Sequence, residues 1–276
     1  MEGMSYMHRI SLHEFRLAPH FENAYQILIM LRGRTNYTIE DNDYELKRGS
    51  IVVLNTMENH TLDVLEYPYE RIIMRLEPSY FFDEVREPEL MGIFINRTSS
   101  FRHVLTVTDE AWDSIMTSCS LIEKEYAGID RFSPLVLGSE IRKLFVNLYR
   151  GSAMDDSSSS GGALRVVSAA MNYMNKHFTE DITIDDIAAA AMKSRDHLSH
   201  LFTRTAGISI KQYLINLRIN HAKFLLSETD RNISEIAEEC GYGELNFFSR
   251  QFRNSEKISP SEFRRMIRKN HVEDTD

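Results

Sequence analysis

The chain has 276 residues, a length typical of two domains, and its 42% hydrophobic and 26% charged residues match a globular protein. No apolar run approaches the ~18 residues of a membrane span, and the first ten residues lack an export signal, so we expect a cytoplasmic protein without a membrane partner. The net charge of −9 would exclude a nucleic-acid partner only if it were spread evenly along the chain.

Short segments rich in β-branched and aromatic residues follow one another between residues 20 and 76, separated by Gly or Asn-Asp turns. They are YQILIMLRG, TNYTIED, DYELKRG, SIVVLN and RIIMRL. Short, evenly spaced strands of this kind are typical of a β-sandwich or small barrel. We therefore assign residues 1–105 to a β-domain.

Helical periodicity begins at Asp109. Apolar residues recur at Trp112, Ile115, Cys119 and Ile122, which predicts an amphipathic helix, and LVLGSEIRKLFVNLY predicts another. Residues 106–150 therefore form a helical segment. Its apolar faces either cover the β-domain or pair with a second subunit as a homodimer, and the pattern does not distinguish the two.

Residues 151–163, beginning GSAMDDSSSSGG, contain almost no apolar side chain and have the composition of a flexible linker. Beyond them, residues 164–276 show helical periodicity throughout. Residues 1–163 hold 16 Lys and Arg against 25 Asp and Glu, whereas the remainder holds 16 of each. The excess negative charge thus lies in the β-half, and the all-α half could bind the phosphates of a nucleic acid. The predicted fold class is α+β.

The all-α half contains an internal repeat. TIDDIA, starting at Thr183, matches NISEIA, starting at Asn232, and each has a capping side chain with an acid three residues later. LSHLF at Leu198 then matches FSRQF at Phe248. In the second copy Gly241 suits a helix end with positive φ. The chain therefore carries one helix-turn-helix twice.

A helix-turn-helix places its second helix in a DNA major groove, whereas a structural αα-hairpin only packs against the rest of its own domain. Two copies with matching exposed polar pairs favour DNA. The segment between them, SIKQYLINLRINHAKFLLS, predicts a helical rod of ~25 Å, which could hold the two second helices about one DNA turn apart.

LRINHAKFLL, ISEIAEECGYGELNFFSRQFR and ISPSEFRR resemble the AraC/XylS family of bacterial transcription regulators, and the resemblance spans residues 165–268. The family usually has Gly where this chain has Lys257, which puts a helix cap in question. The resemblance implies a set of DNA-contacting residues in the two second helices: Arg195, Asp196, Ser199, His200 and Arg204 in the first, and Leu245, Asn246, Ser249 and Arg250 in the second. Because His cannot make the bidentate contact of Arg with guanine, we expect the second helix to discriminate sequence more strongly.

The N-terminal half more weakly resembles the family's cupin-like sensor barrel, through His20, Glu22, Gln26, Gly33 and His60. Gln26 stands where metal-binding cupins have His, so we expect no metal and no cofactor. The expected effector-binding residues inside the barrel are His20, Gln26, Arg32, Asn36 and His60. Since the barrel is acidic, we expect a neutral, sugar-like effector.

The sequence therefore predicts a transcription regulator, not an enzyme, that binds promoter DNA and a small metabolite. The family resemblance implies activation through contact with RNA polymerase. Two alternatives remain at this point. The chain could be a metal-dependent cupin enzyme with a helical tail, or a DNA-binding protein whose barrel only dimerises.

Overall fold

A computed structural model describes residues 3–13, 15–20, 22, 24–56, 58–97, 101–128, 130–152 and 160–273, without the side chains of 18–20, 160 and 268–273. The chain divides into two compact units, Met1–Ser168 and Ala169–Asp276. No helix in the described ranges has the length and apolar character needed to cross a bilayer.

The first unit is built on an antiparallel sheet. Its strands are β1 (Met4–Ser11), β2 (Arg16–His20), β3 (Tyr25–Ile39), β4 (Asn42–Lys47), β5 (Ile51–Leu54), β6 (His60–Leu76) and β7 (Val104–Leu105). The strand order is β1-β6-β3-β5-β7, with β2 also paired to β6 and β4 to β3. The two long strands, β3 and β6, therefore organise the sheet.

Both faces of this sheet bury apolar side chains. We call one the inner face, and its core consists of Leu28, Met30, Tyr37, Ile39, Leu46, Val52, Leu54, Leu62 and Tyr69. The opposite, outer face carries Ile27, Ile29, Ile72 and Met74, all buried. Alternation along each strand separates the two sets, because successive side chains of a strand point to opposite faces.

Two predicted strands, 25–33 and 35–41, are one strand in the structure. Gly33 lies within β3 with a φ of 87° instead of in a turn, and the pairing with β6 shifts register on both sides of it. A Cβ at this position would lie 2.5 Å from the carbonyl oxygen of Glu66, so only glycine fits. Strands β1, β2 and β7 and the first half of β6 were not predicted from the sequence.

Four helices complete the first unit: α1 (Pro78–Glu84), α2 (Pro88–Ile95), α3 (Asp109–Tyr126) and α4 (Ser133–Gly151). On the outer face, the Tyr25 ring lies 4.0 Å from that of Phe81 and 5.6 Å from that of Phe94, and Phe145 of α4 lies 5.4 Å from Phe94. The helical segment thus covers the β-domain, which was one of the two predicted arrangements.

The second unit is helical. Its elements are α6 (Ile184–Ala190), α7 (Arg195–Ala206), α8 (Ile210–Glu228), α9 (Ile233–Glu239), α10 (Leu245–Glu256) and α11 (Pro260–Glu273). α5 (Ser160–His177) crosses the division between the units, so the last four residues of the predicted linker, 160–163, are helical; residues 153–159 lie outside the described ranges. The α+β fold class, with its strands N-terminal and its helix-turn-helix half C-terminal, is confirmed.

Candidate functional site

The two predicted helix-turn-helix copies are present and begin in the same way. Thr183 accepts a hydrogen bond from the backbone N–H of Asp186, whose side chain accepts one from the N–H of Thr183. Asn232 and Glu235 form the same capping box at the start of α9. Each box satisfies two backbone donors that a helix start leaves unpaired. The sequence repeat therefore encodes a repeated helix start.

The sharp turn in each copy depends on a residue with positive φ. Gly241 ends α9 with a φ of 75°, as predicted, and Met192 holds the equivalent position in the first copy with a φ of 52°. A Cβ on Gly241 would lie 2.8 Å from the carbonyl oxygen of Thr179, so the second turn also needs glycine because the backbone passes close by. The abrupt stop after α9 sets the direction in which α10 starts.

The second helix of each copy is anchored by two aromatic or aliphatic side chains one turn apart. Leu198 and Phe202 of α7 are fully buried, and so are Phe248 and Phe252 of α10. Phe252 packs against Phe263, with ring centroids 5.6 Å apart. Burying each such side chain contributes ~1.5–3 kcal/mol, enough to fix which face of the helix points to solvent.

The anchor leaves most of the predicted DNA-contacting residues of α7 in solvent. Arg195, Asp196, His200 and Arg204 are exposed. Ser199 is half-buried, and its hydroxyl donates to the carbonyl of Arg195 at 2.8 Å, which commits its proton within the helix. Its oxygen can still accept a hydrogen bond.

In α10, Leu245, Asn246 and Arg250 are exposed and Ser249 is half-buried. The Arg250 guanidinium lies 5.4 Å from the ring centroid of the exposed Phe247. No described acidic side chain lies within ion-pair distance of Arg250, so the positive charge of Arg250 is available to a partner.

Sequence reasoning missed Arg253. It is exposed and lies one turn beyond Arg250, on the same side of α10. The i, i+4, i+7 series Asn246, Arg250, Arg253 could have revealed it, because these positions fall in one stripe of a helix. α10 therefore presents two arginines where α7 presents His200 and Thr203.

The predicted rod between the copies is α8, which has 19 residues and is therefore ~28 Å long. Tyr213, Leu217, Ala222 and Leu225 are buried along it, as the periodicity predicted, and Leu214 is half-buried. Both copies pack on this one helix, which makes it the element that sets their separation.

Two of the predicted effector-binding residues lie on the inner face of the sheet. Gln26 is buried, and its side-chain oxygen accepts a hydrogen bond from Arg75 Nε at 3.0 Å. His60 is also buried; its Nδ1 lies 3.0 Å from the carbonyl oxygen of Glu58, and its ring stacks on Tyr37 at 5.6 Å. Gln26 and His60 are thus two polar side chains within an apolar core, and together they form the candidate effector site.

The predicted orientation of Arg32 and Asn36 is wrong. Arg32 lies in the irregular stretch of β3 around Gly33 and is exposed. Asn36 is half-buried and alternates with the inward Thr35 and Tyr37, so it points to the outer side. The register shifts reverse the alternation that a regular strand would have kept. His20 pairs with His60 through β2, but its side chain lies outside the description.

A buried ion-pair network lies at the β5–β7 edge of the sheet. Glu58 accepts hydrogen bonds from Arg97 Nε and Nη2 at 2.5 and 2.9 Å, and its carboxylate lies 3.2 Å from His103 Nε2. Burial raises the pKa of Glu58, but Arg97 and His103 outweigh that effect and lower it to about 2. The Glu58 carboxylate is paired with two cationic side chains here, so we interpret the network as structural.

Two of the residues that the cupin resemblance connects with metal, Glu22 and Gln26, form other contacts. Glu22 forms an ion pair with Arg75, which also binds Gln26. Over the described part of the chain, no group of three or more His, Cys, Asp or Glu is arranged to hold a metal ion.

Two family models match the chain. The AraC-like ligand binding domain matches residues 2–172, and a helix-turn-helix domain matches residues 187–266. The chain belongs to the AraC family of transcription regulators. This AraC-family chain thus carries both the ligand-binding and the DNA-reading part of the family, in the order predicted from its sequence.

Two relatives of this AraC-family chain cover most of its length. The Msm operon regulatory protein of Streptococcus mutans is 23% identical over 93% of this chain and 89% of its own. The HTH-type transcriptional activator RhaS of Salmonella agona is 24% identical over 89% of this chain and 86% of its own. The uncharacterized regulator YijO of Escherichia coli is 38% identical, but over only 35% of this chain and 34% of its own.

Among solved structures, ToxT of Vibrio cholerae superposes on the AraC-family chain with a TM-score of 0.54, covering 97% of this chain and 99% of ToxT. The sequence identity is 15%, so the similarity concerns the fold.

Proposed function

We propose that this AraC-family regulator activates transcription by binding promoter DNA through α7 and α10, under control of a small polar metabolite held by the N-terminal domain. It would act in the cytoplasm, where promoter DNA is found. The observation that carries the proposal is the repeated helix-turn-helix, in which buried anchors on one side leave Arg250 and its neighbours exposed on the other.

The two copies would contribute differently. On α10, Asn246 suits the bidentate contact with adenine and Arg250 the contact with guanine. On α7, His200 can form only a single hydrogen bond with a base, and Arg204, one turn further, suits a phosphate. We therefore assign most sequence discrimination to α10 and positioning to α7.

Binding measurements with full-length protein on its own upstream region test this division. Arg250→Ala should cost about 1–3 kcal/mol and relax preference at one base pair, whereas Arg204→Ala should weaken all sequences alike. Arg48→Ala removes an exposed positive charge from the N-terminal unit and serves as the control. If Arg250→Ala and Arg204→Ala both stay within twofold of the control, α7 and α10 do not read DNA.

Activation implies a contact with RNA polymerase, and the relative RhaS is named a transcriptional activator. In vitro transcription with purified RNA polymerase tests this part separately from DNA binding. Transcript should increase when the regulator is added to a promoter that it occupies. A regulator that occupies the promoter and lowers the transcript would be a repressor.

We also propose that the chain forms a homodimer through α4. Three neighbouring apolar side chains where this helix begins are exposed, which is unusual. They are the N-cap residue Phe132 (52% exposed), Leu135 (68%) and Val136 (41%). Sedimentation should show a dimer that Leu135→Glu dissociates. A wild-type monomer at micromolar concentration would contradict it.

A further inference from the structure

Arg71 is a buried arginine on the inner face of the sheet. It lies on β6 between the inward Tyr69 and Ile73, and only 4% of its surface is exposed. The guanidinium carbon lies 4.2 Å from the ring centroid of Tyr69 and 4.9 Å from that of Phe15. A full positive charge is thus held between two aromatic rings inside an apolar core.

The hydrogen bonds of this guanidinium use one of its edges only. Nη1 donates to the hydroxyl of Ser11 at 2.7 Å and to the carbonyl of Tyr69 at 3.3 Å. Nε is buried and donates to no described residue. The Nε–Nη2 edge is the one with which arginine binds a carboxylate through two parallel hydrogen bonds.

Among the described residues, no acidic side chain balances the charge of Arg71. Its cross-strand partner on β1 is Arg9, another cation, which is exposed. Burial lowers the pKa of Arg71, Tyr69 raises it and Arg9 lowers it again, with no carboxylate among the causes. Arg75, four residues along the same face, is by contrast paired with Glu22 and Gln26.

A buried charge without a counter-charge destabilises a fold, so a protein that keeps one usually has a use for it. We propose that Arg71 binds an anionic group of the effector, and that the effector is a small carboxylate-bearing metabolite such as a sugar acid. This proposal rests on the proposed function, of which it specifies the ligand class. The neutral effector expected from the sequence followed from the overall acidity of the domain. The inner face itself presents a cation that no described acidic side chain balances.

The first test needs no ligand. If Arg71 serves the ligand, Arg71→Leu should leave the melting temperature of the unliganded full-length protein unchanged or raise it, because an uncompensated buried charge is removed. Arg75→Leu should lower it, because the ion pair between Arg75 and Glu22 would be lost. An Arg71→Leu variant that is destabilised as strongly as Arg75→Leu would make Arg71 a structural residue and overturn the proposal.

The second test measures thermal shifts with sodium formate against sodium chloride of equal ionic strength, and with glucuronate against glucose and galacturonate against galactose. In each comparison the carboxylate should stabilise the wild-type protein more. The extra stabilisation by the carboxylate should vanish in Arg71→Leu. In Arg71→Lys the apparent affinity for the carboxylate should fall at least tenfold. The extra stabilisation should persist in Arg32→Leu, which removes an exposed arginine of the same sheet.

Carboxylates that stabilise no more than their neutral partners, or that act equally on Arg71→Leu, would overturn the proposal. These readouts contain no DNA. A failure here therefore leaves the reading of DNA by α7 and α10 untouched, and a failure of the DNA-binding measurements leaves the thermal shifts interpretable.

Discussion

Replacing Lys257 by glycine should stabilise the helix-turn-helix half. Lys257 follows α10 with a φ of 64°, and Gly207 follows α7, 50 residues earlier, with a φ of 74°. Each donates its backbone N–H to the carbonyl four residues back, Lys257 to Arg253 and Gly207 to Thr203, so the two helix ends have the same geometry. Only the end of α7 has glycine, the residue that adopts this conformation without strain.

The size of the effect follows from two opposing terms. A side chain in the left-handed region costs ~1–2 kcal/mol. Glycine recovers this energy but costs ~0.5–1 kcal/mol in the greater freedom of the unfolded chain. The exposed hydrogen bond from Lys257 Nζ to the carbonyl of Asn254 is also lost, which is a minor loss. The net gain is about 0.5–1 kcal/mol, or a rise in melting temperature of roughly 2–6 °C.

Thermal unfolding of the full-length protein, followed by far-UV circular dichroism, measures the change. The reciprocal variant Gly207→Lys is the matched control and should lower the melting temperature by a similar amount, since it introduces the same strain at the equivalent helix end. A Lys257→Gly variant that melts at a lower temperature than the wild type would refute this account of the cap.

Three further outcomes are expected. Gly241→Ala should destabilise the second unit by more than 1 kcal/mol, because it adds backbone strain and a contact with the Thr179 carbonyl; urea denaturation would show no loss if the turn tolerated a Cβ. The Glu58 pKa of about 2 lies below its ordinary 4.5, so its ion pairs stabilise the fold above about pH 4.5 and are lost towards pH 2. Glu58→Gln should therefore lose about 3 kcal/mol at pH 7 and flatten the acid limb of stability against pH; an unchanged acid limb would exclude Glu58 as its cause. Operator affinity should fall steeply between low and physiological salt, and a flat dependence would exclude contacts with phosphate.

The DNA-reading half was largely predictable from the sequence because its signals are local. A capping box such as Thr183 with Asp186 lies within four residues, and anchors such as Phe248 and Phe252 follow the helix period. The 49- and 50-residue offsets then show the same pattern twice, which no single copy would have established. Arg253 was the omission, although it lies on the same local stripe.

The sensor half was less predictable because its features depend on pairing between distant strands. Whether Gly33 ends a strand or bends it depends on the carbonyl of Glu66, 33 residues away. The segment RIIMRL was correctly predicted as a strand, but the sequence does not show which face Arg71 takes. That follows from the register with β1 and from the packing of Phe15, neither of which has a local signature.

Footprinting of the full-length regulator on its own upstream region tests the central claim most directly. Because α7 and α10 both pack on α8, we expect two protected stretches on one face of the duplex, about one helical turn (~34 Å) apart. Arg250→Ala should weaken protection of one stretch and His200→Ala that of the other. A single protected stretch, or the same stretch weakened by both variants, would contradict a regulator that reads DNA with both copies.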